Sequence, residues 1–128
     1  MFEDTFYQEY ALICKTIVNP IRLKIIDIIG VQKLNVSEIQ AQLNISMSNL
    51  SNHLTALHRV GVVGREKKGN FIYYFLPVPE ILEVMKKMRA VVHSIASRRN
   101  QMMIDSSLMA VGHDTAASSE EEEKKWEK

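Results

Sequence analysis

Cysteine is almost missing: Cys14 is the single thiol among 128 residues. That excludes a disulfide within the chain and any cysteine cluster for a metal ion. Long apolar runs are missing too, none approaching the ~18 residues that a membrane span needs. The chain opens on Met1-Phe2-Glu3-Asp4, acidic and without the apolar stretch of a signal peptide. A cytoplasmic protein with no membrane partner is expected. The five glycines form no Gly-rich phosphate loop. No nucleophile–base motif and no metal-spaced cluster is present either, so no enzyme, no cofactor and no bound metal are expected.

Net charge is small, +1, but unevenly placed. Residues 1–104 hold 13 Lys/Arg against 8 Asp/Glu, whereas residues 105–128 hold 3 against 7. A basic body with an acidic tail suits a domain that binds a polyanion. Apolar residues at 46% and charged residues at 24% are those of an ordinary globular protein with one core. Residues 1–104 are read as one domain and 105–128 as an acidic tail, disordered or frayed helix.

Periodicity orders the body. Tyr7, Tyr10, Cys14 and Ile17 make one apolar stripe on a helix over Thr5–Val18. Asn19-Pro20 then caps and opens a second helix, Ile21–Ile29, apolar over most of its circumference and so central; Gly30 stops it. A short third helix is expected over Val36–Leu43, with Asn35 and Glu38 as a capping box. Ser46 caps a fourth, Met47 to Val60, closed by Gly61. From Val62 to Leu76 the pattern turns to β-branched and aromatic residues around Lys67-Lys68-Gly69-Asn70, a hairpin with a basic tip; Pro77 and Pro79 close it. A long helix follows, Glu80–Met103, with Ile81, Met85, Met88, Val92 and Ile95 at heptad-like spacing.

Two short helices joined by a few residues, then a basic hairpin, spell a winged helix-turn-helix. The predicted fold is mainly α with a small β-hairpin: about five helices and a two-stranded wing, dimeric. On the fourth helix Leu50, Leu54 and Leu57 point to the core. Ser48, Asn49, Asn52, Thr55 and Arg59 point away, small or bidentate groups suited to base edges, with Arg59 placed for a phosphate. An amphipathic helix with a solvated polar face has the same wheel. The wing shifts the balance, because Arg65, Lys67 and Lys68 around Gly69-Asn70 can reach phosphates or the minor groove; a hairpin kept soluble by its charge is the plainer reading, but both elements in this order are much harder to obtain by chance. The candidate DNA contacts are Ser46, Met47, Ser48, Asn49, Ser51, Asn52, Thr55, Arg59, Arg65, Lys67, Lys68 and Asn70. The candidate dimer contacts are Tyr7, Tyr10, Cys14, Ile81, Met85, Met88, Val92 and Ile95. The alternative is a winged helix that binds a partner protein and no specific DNA.

Asn19-Pro20-Ile21-Arg22-Leu23-Lys24-Ile25-Ile26 resembles the N/D-P-x-R-L-x-I-L segment of the ArsR/SmtB family of prokaryotic repressors. Ser46 to Leu54 is similar to its recognition helix, S-x-S-x-V-S-x-H-L. Val60-Gly61-Val62-Val63 and Tyr73-Tyr74-Phe75-Leu76 resemble its A-G-L-V and Y-Y-x-L segments. The resemblance implies a dimer built from the first and last helices and a double-stranded DNA operator released by an effector. Two departures bear on that effector. Asn35 and Ser37 stand where metal sensors of the family carry two thiolates. At the family's last-helix site this chain has Val78, Glu80, Val91 and Ser94, of which Glu80 alone can ligate. What remains in place of a metal is, in order, a small organic effector in an interhelical pocket, a redox event at Cys14, or constitutive repression. Met47 replaces a frequent Gln of the recognition helix.

Other residues have plainer readings. Cys14 is read as a small buried hydrophobe facing the dimer partner; a redox switch would need exposure and a lowered pKa. His53 and His58, five apart, suit ring packing or phosphate contact. His93 with Glu80 and Glu83 has no metal-ligand spacing. Met85, Met88, Met102 and Met103 fill a core or line an apolar effector pocket.

Overall fold

Local capping sets the element boundaries. In the computed structural model, which describes residues 1–109, Val18 closes one helix and Asn19 caps the next. Its Oδ1 accepts from the backbone N–H of Ile21 at 2.9 Å and of Arg22 at 3.3 Å. Pro20, with no N–H to leave unpaired, takes the first helical position. Helix α1 is Asp4–Ile17 and α2 is Pro20–Ile29. The two-residue strand β1, Leu34–Asn35, runs directly into α3, Val36–Gln40. Asn35 caps α3 with the full reciprocal box: its side chain accepts from Glu38 N–H at 2.9 Å, and Glu38 Oε1 accepts from Asn35 N–H at 3.1 Å.

The third helix is shorter than the expected Val36–Leu43. After Gln40 the backbone tightens to three-residue bonds, Gln42 N–H to Ile39 O at 3.1 Å and Leu43 N–H to Gln40 O at 3.0 Å. Helix α4, Met47–Arg59, begins at Ser46, whose hydroxyl accepts from Asn49 N–H at 3.1 Å. The hairpin follows as β2, Gly64–Lys68, and β3, Phe71–Phe75, and then α5, Ile81–Met109.

The sheet has three antiparallel strands in the order β1-β3-β2, one more than the predicted wing. Leu34 pairs with Tyr74 and Asn35 with Tyr73, so β3 is central. The turn is only Gly69-Asn70, with Gly69 at φ 61°, a left-handed conformation that favours glycine. Gly64 answers a different need. A Cβ there would lie 2.6 Å from Phe75 Cζ, because the Phe75 ring covers its strand partner.

Ile25, Ile26 and Ile29 of α2, Ile39 of α3, and Leu50, Leu54 and Leu57 of α4 are fully buried, joined by Val63 and flanked by Leu34, Tyr74 and Leu76 from the sheet and its exit. The reading of α2 as the central helix holds.

The chain divides into two units. Met1–Glu83 holds the sheet and the first four helices; the second, from Val84, holds the body of α5. Neither α1 nor α5 has a buried residue. Cys14 is exposed, so it fills no core of its own chain, and the reading of it as buried rests on a partner covering it. Helix α5 runs past the expected Met103 to Met109, so residues 105–109 continue it. With that length, Ile81, Met88, Ile95, Met102 and Met109 fall seven apart along it. The rest of the acidic tail lies outside the described residues.

Candidate nucleic-acid interface

Every residue of α4 named for DNA contact is exposed: Met47, Ser48, Asn49, Ser51, Asn52, Thr55 and Arg59, with Ser46 at the cap. Leu50, Leu54 and Leu57 take the opposite face, fully buried. The helix packs against α1, α2 and α3. It thus presents one polar ridge on an anchored base, as entry into a major groove requires. Ser46 is already engaged with the N–H of Asn49, which orients the N-terminal turn whose free amides attract phosphate.

The wing residues divide between two faces. Register places Lys67 opposite Ile72 and Arg65 opposite Tyr74, on one face; Lys68 lies opposite Phe71, on the other, with Glu66 and Tyr73. The three cations therefore do not form one cluster. Lys67 and Lys68 belong to the strand rather than to the turn, and Gly69-Asn70 alone makes the tip.

A second local network was not legible in the sequence. Lys33 Nζ bonds Glu66 Oε2 at 2.9 Å and stands 5.2 Å from the centre of the Phe75 ring. The Lys33 bond, and next its charge, hold the Glu66 carboxyl below the usual carboxylate range. The pair is half-exposed on both sides, so it contributes little to stability. It neutralises the one acid on the wing, which leaves Arg65, Lys67 and Lys68 as the net charge there. Lys33 and Glu66 are 33 residues apart, and no periodicity links them.

Of the histidines, His53 accepts a hydrogen bond from Arg22, and His58 is half-buried at the end of α4. His93 is exposed. Among the described residues no group of three or more His, Cys, Asp or Glu could hold a metal ion, and no helix is long and apolar enough to cross a membrane. The residues named for the dimer interface are uncovered or partly so: Tyr7, Tyr10, Cys14, Met88, Val92 and Ile95 are exposed, and Ile81 and Met85 half-buried.

Helix-turn-helix, anchored polar ridge and lysine-bearing hairpin define a winged-helix, DNA-binding transcriptional regulator. Comparison with known proteins agrees. The family model described as bacterial regulatory protein, arsR family, matches residues 19–64. The transcriptional repressor SdpR of Bacillus subtilis is 37% identical over 62 residues, covering 48% of this chain and 69% of the repressor. The transcriptional activator HlyU of Vibrio cholerae is 31% identical over 91 residues, covering 71% of this chain and 81% of the activator. The crystal structure of Rv0081 of Mycobacterium tuberculosis superposes with a TM-score of 0.67 at 30% identity, covering 76% of this chain and 98% of that one. The chain belongs to the arsR family of bacterial regulatory proteins. These relatives are regulators of transcription.

Proposed function

We propose that the protein is a homodimeric repressor that grips a two-fold operator and lets go when a small organic molecule binds. The observation that carries the reading is the wholly exposed polar ridge of α4 followed directly by the lysine-bearing hairpin. In a dimer the two α4 helices would enter major grooves about 34 Å apart, one helical turn of DNA. Asn49 and Asn52 would read base edges, and Arg59, Arg65, Lys67 and Lys68 would meet phosphates.

The uncovered apolar residues of α1, and separately those along α5, support self-association, because a monomer would leave them in water. Repression is the sense carried by SdpR, and activation that carried by HlyU, so the sign of control is part of what must be tested. An organic effector is favoured over a thiophilic metal because each chain offers one thiol.

The test is a gel-shift titration of the full chain against its own promoter region and a scrambled duplex, repeated over a range of salt. Binding should fall steeply with salt, and Lys67→Ala or Lys68→Ala should each lower the slope by about one. Equal affinity for both duplexes, or a flat salt dependence, would leave the protein-interaction reading in its place.

A further inference from the structure

Arg22 lies in the first turn of α2, yet its side chain makes two bonds that leave that helix. One guanidinium nitrogen donates to the carbonyl of Thr16, near the end of α1, at 2.9 Å. Nε donates to Nδ1 of His53, on α4, at 3.1 Å. The guanidinium is planar and never loses its proton, so two bonds in different directions fix its plane. A ring nitrogen that accepts from arginine carries no hydrogen, so His53 is neutral with its proton on Nε2. Along α4, His53 stands between Asn52, which is exposed, and Leu54, which is fully buried. Its ring therefore marks the boundary between the core face and the polar ridge.

We propose that Arg22 and His53 are a positioning pair for DNA recognition, fixing the rotation of α4 about its axis and thereby the aim of Asn52 and its neighbours. The proposal rests on the reading of α4 as the recognition helix. Leu50, Leu54 and Leu57 hold the helix down, but apolar contact is non-directional and tolerates a small roll. A hydrogen bond from a fixed guanidinium to a ring nitrogen is directional. The same guanidinium also bonds the end of α1, so one side chain ties α4 to the α1 terminus. Neither Arg22 nor His53 touches a base; both act through the helix.

The pair has a pH signature. Burial, and then the neighbouring Arg22 charge, hold His53 below the ordinary imidazole value of 6.5. Arg22 is the charge that faces the ring from α2. The acid of α3, Glu38, is turned into its box with Asn35, and α1 offers the Thr16 carbonyl, with Lys15 exposed. Protonation at Nδ1 sets one N–H against another and breaks the bond. Added positive charge ordinarily tightens DNA binding as pH falls. Loss of this bond works the other way, and on sequence preference rather than on general affinity.

The test measures affinity for a duplex that the wild-type protein selects from a random pool, relative to a scrambled duplex, from pH 7.5 to 4.5 at constant salt, since His53 is held below 6.5. In wild type the preference should fall on acidification, by about tenfold once His53 is protonated, the effect of one lost hydrogen bond to a charged group. His53→Ala should lose about as much at pH 7.5 with its scrambled-duplex affinity intact. His53→Asn, whose Oδ1 takes the place of the ring Nδ1 and does not titrate, should keep accepting from Arg22, keep the preference at pH 7.5 and lose its pH dependence. A His53→Asn profile that tracks wild type, or a His53→Ala preference equal to wild type at pH 7.5, overturns the pair. No preference in wild type at pH 7.5 brings down the recognition reading, and the pair with it.

Discussion

Gly64→Ala should destabilise the wing through one ring. An added Cβ would stand 2.6 Å from Phe75 Cζ, 2.9 Å from Cε2 and 3.1 Å from Cε1. Carbon atoms in contact prefer about 3.5–4.0 Å, so the ring must swing away. That forces a strained side-chain torsion, at about 0.5–1.5 kcal/mol. It also weakens the Lys33 ammonium's hold on the ring face, an exposed cation–π contact of about 0.5–1 kcal/mol. Together these cost about 1–2.5 kcal/mol; less about 0.4–1 kcal/mol from the stiffer unfolded chain, the net loss is about 1 kcal/mol, and the melting temperature falls by roughly 4 °C for a domain of this size. The backbone of Gly64 lies outside the left-handed region, so alanine itself is allowed there. The clean assay is a thermal-melt cycle with Phe75→Ala. Without the ring, Gly64→Ala should be neutral or should stabilise by about 0.4–1 kcal/mol, through the stiffer unfolded chain. A Gly64→Ala variant that melts at or above wild type with Phe75 present would refute the packing argument.

Other substitutions separate the parts of the interface. Ser48→Ala or Asn52→Ala should cost about 1–3 kcal/mol of discrimination against a wrong base, while leaving binding to scrambled DNA in place, as read by competition gel shift. Glutamate at Met88 or Val92, both exposed on α5, should yield monomers by light scattering and poor DNA binding; a wild-type monomer at micromolar concentration would count against the dimer. Leu54→Ala should cost about 2–5 kcal/mol in a denaturant melt, since the side chain is fully buried. Arsenite, cadmium, lead and zinc should not release DNA at submicromolar concentration under reducing conditions, because soft ions need thiolates and zinc needs four spaced ligands; stoichiometric release by any of them would refute this.

What could be read from the sequence was local. The caps at Asn19, Asn35 and Ser46 each join a side chain to an amide two or three residues on, so spacing alone exposes them. The buried leucines and the polar ridge of α4 follow from the helical period in the same way. What escaped was short or distant. Strand β1 has two residues and no alternation to display, and its partners Tyr73 and Tyr74 lie far along the chain. Helix α3 ends early because its last turn tightens, which residue types do not announce. No periodicity gives Arg22 a role, since its partner His53 is 31 residues away. The division of the wing cations between two faces waited on the register of the hairpin.

Asn35 holds two posts at once, and this sets a cost for anyone who would refit the protein as a metal biosensor. The family resemblance puts thiolates at Asn35 and Ser37, so the obvious redesign installs cysteine at both. But the Asn35 side chain already accepts from Glu38 N–H, and its backbone sits in register with Tyr73 in the sheet. Cysteine would surrender the cap, at about 1 kcal/mol, at the junction where the wing's third strand becomes the first helix of the DNA-reading motif. Metal added later would have to restore that junction as well as fill its own coordination shell. A refitted sensor would therefore begin about 1 kcal/mol less stable at the point where its sheet meets its helix-turn-helix, before any metal is added.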